Sequence, residues 1–141
     1  IIMARRLEVW EVFERVGKAL TREDKIQILK ENDHWAIRDV IAGCLNPKVE
    51  WNLPKGRPPY TANSIESVPS TLLRENQKFT YFVKGGKGDE LAPYKRERIF
   101  IGILESVHPK DAELVLKMVE KKMPVKGLTR KIVEEAYPGI L

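Results

Sequence analysis

Residues 7–20 read LEVWEVFERVGKAL and place an apolar side chain at every third or fourth position, at Leu7, Trp10, Phe13, Val16 and Leu20. This spacing fits the 3.6-residue turn of an α-helix with one buried face, so it predicts an amphipathic helix from about Ala4 to Ala19. The charged residues between the apolar ones then lie on the exposed side. The segment sets the pattern for the fold, which is predicted to be built from helices.

The same periodicity recurs along the chain. Thr21 is expected to cap a second helix, with Asp24 three residues later as a weaker capping-box partner. Residues 34–44 bury Trp35, Ile37, Val40, Ile41 and Cys44 in a third helix, which Asn46-Pro47 ends. Further helices are predicted from Ser70, as N-cap, to Val83, and over residues 93–106, 109–122 and 129–137. The sequence thus predicts an all-α, single compact domain of about seven helices over residues 1–141.

Two stretches interrupt this pattern. Residues 45–65 hold four of the nine prolines and too few alternating apolar residues for a strand, so they are predicted to form a long irregular loop or arm. Trp51 and Tyr60 in this loop either stack on nucleic-acid bases or fasten the loop to the core, and the second is favoured. Residues 85–90, GGKGDE, form a Gly-rich hinge by composition.

Composition restricts the class of protein. The 141 residues carry 25 Lys and Arg against 20 Asp and Glu, a net charge of +5, and no run of about 18 apolar residues predicts a membrane span. Cys44 has no partner cysteine and fits the buried phase of its helix. We therefore expect a soluble cytoplasmic protein without contact to a membrane.

Recognisable catalytic chemistry is absent from the sequence. There is no Walker loop, no CxxC and no HExxH, and His34 and His108 are interpreted as a helix-start residue and a turn residue. The expectation is a protein that is not an enzyme and uses no metal or cofactor. An enzyme would require a concave pocket with at least two carboxylates close together.

The charge distribution is more informative than the total. Residues 117–131 carry six Lys and Arg against one Glu, and they place a Lys-Gly-Leu-Thr turn before the last helix. Arg130 and Lys131 then lie in a first helical turn, where positive charge opposes the helix dipole and an anion relieves the repulsion. The predicted phosphate-binding residues are Lys126, Gly127, Thr129, Arg130 and Lys131, with Lys121, Lys122, Lys84, Lys87, Lys55 and Arg57 as outer contacts.

Residues 127–141, GLTRKIVEEAYPGIL, resemble the close of the N-terminal DNA-binding domain of phage-type ATP-dependent DNA ligases. The resemblance implies an all-helical fold that holds duplex DNA mostly by backbone contacts, with DNA contacts at Gly127, Thr129 and Lys131. Lys126 and Arg130 are added from their charge. The Lys-x-Asp-Gly motif that a ligase needs for AMP is absent, since Lys87-Gly88-Asp89-Glu90 lacks the final glycine. The chain is also similar, more faintly, to uncharacterised proteins of large tailed marine phages.

These observations favour a non-enzymatic, accessory module that binds duplex DNA without reading its sequence. The alternative is a phage protein-protein interaction module that keeps the fold and uses the arm at 51–60 or the tail Ile140-Leu141 on a replication or virion protein. In either case a phage origin would place the protein in the host cytoplasm.

Overall fold

The computed structural model describes residues 6–141, and this part of the chain contains seven α-helices and no strand. Trp51 and Val83 form an isolated antiparallel bridge. None of the helices within 6–141 is both long and apolar enough to cross a membrane. The predicted all-α fold is confirmed, with α1 at Val9–Lys18, α2 at Arg22–Glu31, α3 at Trp35–Leu45, α4 at Leu72–Glu75, α5 at Pro93–Leu104, α6 at Pro109–Val119 and α7 at Arg130–Ala136.

One apolar core joins these helices. The first helix packs on α2 and α6, α2 packs on α7, and α3 packs on α6 and α4. Tyr137, directly after α7, is fully buried, and its hydroxyl donates a hydrogen bond to the carbonyl oxygen of Leu29 in α2. The aromatic residue of the ending therefore fastens α7 to the first half of the chain.

Side chains that cap the helices define where most of them begin. Thr21 accepts a hydrogen bond from Asp24 N at 3.1 Å, as predicted for this cap. His34 was predicted only to lie at a helix start, and its Nδ1 accepts a hydrogen bond from Ala36 N at 3.0 Å. The first helix begins later than predicted, at Val9, because Glu8 and Glu11 form a reciprocal capping box. The predicted start at Ala4 lies outside the described residues.

The helix predicted from Ser70 to Val83 is wrong in its cap and in its type. Thr71 is the N-cap, and a single α-helical turn, α4, passes into a 3₁₀ helix at Asn76–Tyr81. Asn76, Phe79 and Phe82 recur every three residues and are all buried. Since a 3₁₀ helix has three residues per turn, this geometry places all three in one line, whereas an α-helix would spread them over an arc of about 120°.

Two residues predicted to be buried are exposed. Leu20 lies after the end of α1 and is 95 % exposed, because the chain turns away there to reach the cap at Thr21. Trp35 is the first residue of α3 and is 74 % exposed. The apolar faces of α1 and α3 are thus shorter than their periodicity predicted.

The irregular segment between α3 and α4 is fastened along its length. Trp51 Nε1 donates to the carbonyl of Gly43 at 3.1 Å, Asn63 Nδ2 donates to that of Val107 at 2.9 Å, and Ser70 N donates to that of Ser106 at 2.8 Å. Tyr60 packs against the core as well. The interpretation of Trp51 and Tyr60 as side chains that hold the loop is supported, and the loop extends past residue 65 to the cap of α4.

Residues 85–90, predicted as a hinge, form a turn and a short 3₁₀ helix at Lys87–Glu90. The buried guanidinium of Arg96 donates to the carbonyl of Gly88 at 3.0 Å and to that of Asn52 at 3.2 Å. Gly88 has no room for a side chain, since a Cβ there would lie 1.8 Å from the carbonyl oxygen of Tyr81. The glycine serves close packing, and movement about this segment stays a prediction.

Candidate functional site

The most basic part of the chain begins where α6 ends. Lys121 has a left-handed backbone, with φ at 59°, and its N–H donates to the carbonyl of Met118 at 3.1 Å. Lys122 N donates to the carbonyl of Lys117 at 3.0 Å. These two bonds form a Schellman motif, in which glycine usually takes the left-handed position. A lysine at this position indicates that contacts of its side chain stabilise the fold enough to offset the strain of the left-handed backbone.

The ammonium group of Lys121 points back to α3. Its Nζ donates to the carbonyl oxygens of Gly43, Asn46 and Val49, at 2.9, 2.8 and 3.0 Å. Burial lowers the pKa of this ammonium, and the charge of Arg130 lowers it further. Lys121 was predicted as a phosphate contact. In the structure its ammonium group instead binds carbonyl oxygens at the carboxyl end of α3, where the helix dipole favours a positive charge.

Arg130 has a similar internal partner. Its guanidinium donates to the carbonyl oxygen of Leu45, the last residue of α3, although Arg130 itself is the first residue of α7. Thr129 is the N-cap of α7, and its hydroxyl accepts a hydrogen bond from Ile132 N at 3.3 Å. Because α3 supplies a partner for the charge of Arg130, an anion is not required to explain its position.

The other predicted residues of this segment are exposed. Lys126 and Lys131 have no ion pair with any acid of residues 6–141, and Lys122 lies 3.8 Å from Glu120. Gly127 has a φ of 91°, and a Cβ added there would lie 3.1 Å from Nζ of Lys25. The turn at 125–127 therefore lies against the carboxyl end of α1, where Lys25 donates to the carbonyls of Val16 and Ala19.

Residues 46–50 connect two of the predicted basic groups. Lys84 N donates to the carbonyl of Glu50 at 2.9 Å, and Lys121 Nζ reaches the carbonyl of Val49 next to it. Lys84 is weakly paired with Glu50, at 3.8 Å. The group at 84–87 therefore adjoins the segment at 121–131. We call the exposed lysines of this region the basic surface: Lys48, Lys84, Lys87, Lys122, Lys126 and Lys131.

The loop residues Lys55 and Arg57 differ from each other. Arg57 donates to Glu113 at 2.9 Å and to Glu120 at 2.9 Å, and these carboxylates, Glu120 first, raise the pKa of the guanidinium. Lys55 is exposed and has no ion pair with another described residue. Arg57 therefore fastens the loop to α6, and only Lys55 of this pair keeps its charge available to a ligand.

A cleft of about 400 Å³ lies at the opposite, amino end of α1. We call it the acidic cleft, because it is lined by three acidic residues: Glu8, which precedes α1, Glu11 of α1 and Asp111 of α6. His108 and the apolar residues Trp10, Ile65 and Val68 line it as well. The ten residues of α1 separate it from the 125–127 turn by about 15 Å. One end of this helix thus carries acids and the other end bases, as its dipole favours.

Asp111 is 1 % exposed, and its Oδ1 accepts a hydrogen bond from Trp10 N at 3.0 Å. Burial raises the pKa of this carboxyl to about 7, and the neighbouring charges of Glu8 and Glu11 raise it as well. His108 caps α6 and stacks on Trp10, with ring centroids 4.4 Å apart, and burial lowers its pKa. The cleft thus places three acidic residues along one depression of the described surface, and no cluster of His, Cys, Asp and Glu within residues 6–141 suits a metal ion.

The sequence profile of a family of unknown function, DUF6433, matches residues 12–125, which is most of the chain. The chain belongs to DUF6433. No curated protein and no solved structure matches the sequence.

The DUF6433 match covers only part of the predicted site. Lys55, Arg57, Lys84, Lys87, Lys121 and Lys122 lie inside the matched residues 12–125. Lys126, Gly127, Thr129, Arg130 and Lys131 follow the match, as does the ending that resembles a ligase domain. The DUF6433 match and the specific part of the ligase resemblance, residues 127–141, therefore rest on different parts of the chain.

Two features of the DUF6433 fold escaped sequence reasoning. The acceptors of Lys121 and Arg130 are backbone carbonyls, which have no residue signature. The acidic cleft joins Trp10 to Asp111, 101 residues apart, and neither residue type in isolation indicates a pocket. Asp111 at the third position of α6 was the available signal, because an acid in a first turn often accepts an N–H.

Proposed function

We propose that this protein is a non-enzymatic module that binds the phosphate backbone of duplex DNA without reading bases. The observation that carries the proposal is the contact at residues 46–50, where Lys84 N and Lys121 Nζ bind the neighbouring carbonyls of Glu50 and Val49 and so bring the start of one basic group next to the start of the other. Phosphates of a duplex follow each other at regular spacing, so several adjacent ammonium groups suit them.

The ammonium groups of the basic surface have few or no acidic partners within the described residues. Lys48, Lys87, Lys126 and Lys131 are exposed and form no ion pair within residues 6–141. Lys84 and Lys122 have acid partners only at 3.8 Å. Pairs this long and exposed contribute little, so a phosphate can replace the carboxylate. The predicted contacts Lys121, Arg130 and Arg57 are less suited, because each already has internal acceptors.

The ending at 127–141 supports the same proposal through its resemblance to the DNA-binding domain of phage-type ligases. Since the adenylation motif is absent, the proposed role is accessory: the chain holds DNA and leaves the chemistry to another protein. A phage origin, with action in the cytoplasm of an infected bacterium, belongs to the proposal as well.

Fluorescence anisotropy with labelled intact and nicked duplexes tests the proposal. Five phosphate contacts correspond to a slope of about −4 to −5 for log K against log salt. The double variant Lys126→Gln/Lys131→Gln is expected to weaken binding to every sequence alike and to reduce the slope by about 2. The matched control is Arg74→Gln, an exposed cation on α4 beside the amino end of α1. Absence of binding at low salt would reject the function.

A protein-interaction function has one specific observation in its favour. Trp35 is 74 % exposed and Leu20 is 95 % exposed, and tryptophan is enriched at protein interfaces. The elements first assigned to this function suit it less, since Trp51, Tyr60, Ile140 and Leu141 pack against the core. Capture of a protein that survives nuclease treatment and is lost in Trp35→Ser would favour this second function.

A further inference from the structure

A cavity of about 200 Å³ lies between the irregular segment and the helices α5 and α6. Residues 53–59 line one side of it, and Glu97 and Phe100 of α5 and Val119 of α6 line the other. We call this cavity the loop pocket. Sites for drug-sized ligands measure about 300–1,000 Å³, so the loop pocket suits a single small ring system.

The loop side of the pocket is held in place. Leu53 and Tyr60, at its two ends, pack against the core, and the ion pairs of Arg57 with α6 hold its middle. Three of the seven residues at 53–59 are prolines, whose φ angle is fixed by the ring. The pocket is therefore formed before a ligand enters, which lowers the entropy cost of binding.

The apolar part of the lining consists of rings and branched side chains. The loop contributes the rings of Pro54, Pro58 and Pro59, and the helices contribute the buried Phe100 and the half-buried Val119. A flat heterocycle packs well against apolar walls of this kind, as unpaired bases do in proteins that bind single strands.

Two side chains of opposite charge also line the pocket. Lys55 is exposed and Glu97 is half-buried, and neither side chain forms an ion pair or hydrogen bond with another residue of 6–141. The charge of Arg57, by contrast, is offset by Glu113 and Glu120. The pocket therefore offers an ammonium group to an anion and a carboxylate to N–H donors.

We propose that the loop pocket binds one nucleotide, with the base against the prolines and Phe100, its N–H groups on Glu97 and its phosphate on Lys55. An apolar side chain of a protein partner would use the walls alone and leave both charges without a role. The same chemistry occurs in free nucleotides and at the unpaired end of a nucleic-acid strand. None of the lysines of the basic surface lines this pocket, so the proposal does not depend on DNA binding there.

The carboxylate of Glu97 gives the pocket an expected preference among bases. Guanine presents two adjacent N–H donors, N1–H and the 2-amino group, to the two oxygens of one carboxylate. Hypoxanthine lacks the amino group, and uracil presents one N–H between two carbonyl oxygens. We therefore expect GMP to bind more tightly than IMP, and IMP more tightly than UMP.

The test is an NMR titration of the full chain in two arms at constant ionic strength. One arm adds GMP, IMP or UMP, and the other adds the 5′-phosphorylated single-stranded tetranucleotide GTTT. Saturable shifts of the Gly56 amide signal are expected in at least one arm, with GMP bound about ten-fold more tightly than UMP. Tighter binding of the tetranucleotide than of GMP would identify a strand end as the ligand, and the reverse order a free nucleotide.

Variants assign the two charged contacts. Glu97→Gln is expected to lower the affinity for GMP about ten-fold and that for UMP less. Lys55→Gln should weaken GMP and leave guanosine, which lacks the phosphate, unchanged. The matched control Glu134→Gln, on α7, should leave the affinity for GMP as it is.

The double variant Lys126→Gln/Lys131→Gln should also bind GMP normally, so failure of this proposal is distinguishable from failure of duplex binding. No saturable shift at about 10 mM GMP, or equal affinity for GMP in Glu97→Gln, would overturn the proposal. Tighter binding of N-acetyl-tryptophanamide than of GMP would overturn it as well, because it would identify an apolar protein side chain as the occupant.

Discussion

The ammonium nitrogen of Lys121 lies 2.9 Å from the carbonyl oxygen of Gly43, 78 residues earlier in the chain. The same nitrogen reaches two further carbonyls beyond the end of α3, and Arg130 takes that of Leu45. Part of the charge excess at 117–131 therefore holds the fold together. The rest, at Lys122, Lys126 and Lys131, is available to a ligand.

Replacement of Lys121 separates its backbone strain from its side-chain contacts. Lys121→Met keeps the left-handed backbone and loses the charged hydrogen bonds, so we expect a loss of about 1–2 kcal/mol in the free energy of unfolding. Lys121→Gly loses the same bonds and relieves about 1 kcal/mol of strain, so it should be the more stable variant. Urea denaturation measures both, and equal stabilities of the two variants would contradict this account.

Asp111 gives the folded state a pH dependence with a defined sign. Its folded pKa of about 7 lies above the ordinary value of 3.8, so the folded state prefers the protonated carboxyl. Stability should be fullest below pH 4 with respect to this group and fall as the pH rises through 7, by about 2–4 kcal/mol.

The comparison with Asp111→Asn isolates this group. His34 and His108 have lowered pKa values and act in the opposite sense, since their contribution is lost as the pH falls below about 6.5. They are present in both proteins and cancel in the difference. Denaturation at pH 5, 6, 7 and 8 should show that the free energy of unfolding of Asp111→Asn increases relative to that of the wild type as the pH rises. A difference in free energy that does not change with pH would rule out a raised pKa of Asp111.

Two glycines give opposite results when changed to alanine. Gly88→Ala places a Cβ 1.8 Å from the carbonyl oxygen of Tyr81, so the 85–90 turn must be displaced, at a cost of about 3 kcal/mol or more. Gly102 is exposed within α5 and has open space around it, so Gly102→Ala should stabilise the protein by about 0.5–1 kcal/mol. Thermal unfolding distinguishes the two, and a neutral Gly88→Ala would show that the turn yields easily.

Arg57 is expected to control the loop more than the whole fold. Its ion pairs with Glu113 and Glu120 are exposed, so Arg57→Gln should lower the free energy of unfolding by less than about 1 kcal/mol. Amide hydrogen exchange over residues 53–60 should nevertheless become faster. Lys55→Gln is the matched control, and the same exchange rates in both variants would show that other contacts hold the loop.

The sequence predicted those features of the fold that depend on near neighbours. The 3.6-residue spacing located the helices, and Thr21, His34 and Thr129 were identified as start residues because caps act within three positions. Phe79 and Phe82 misled the prediction, since two apolar residues three apart also suit an α-helix. The three-residue spacing alone does not distinguish the 3₁₀ helix at Asn76–Tyr81 from an α-helix.

The candidate site was less predictable because it depends on distant contacts. Charge alone did not distinguish Lys126, which has no ion pair with any acid of residues 6–141, from Arg130, which donates to the end of α3. The acidic cleft likewise requires α6 to lie beside the start of α1. Sequence spacing identifies which residues are charged, whereas packing decides which of those charges remain accessible.

The contacts of Lys121 have a consequence for how this protein can vary among its relatives. Every residue has a carbonyl, so the side chains at 46 and 49 can change without loss of an acceptor. Residue type matters at two positions: a long cation is needed at 121, and Gly43 has no room for a side chain, since a Cβ there would lie 2.6 Å from Met118 Cγ. Relatives in which the residue at position 121 makes the same contacts should keep a lysine or arginine there, while the residues at 46 and 49 diverge. A compensating pair of substitutions is not expected.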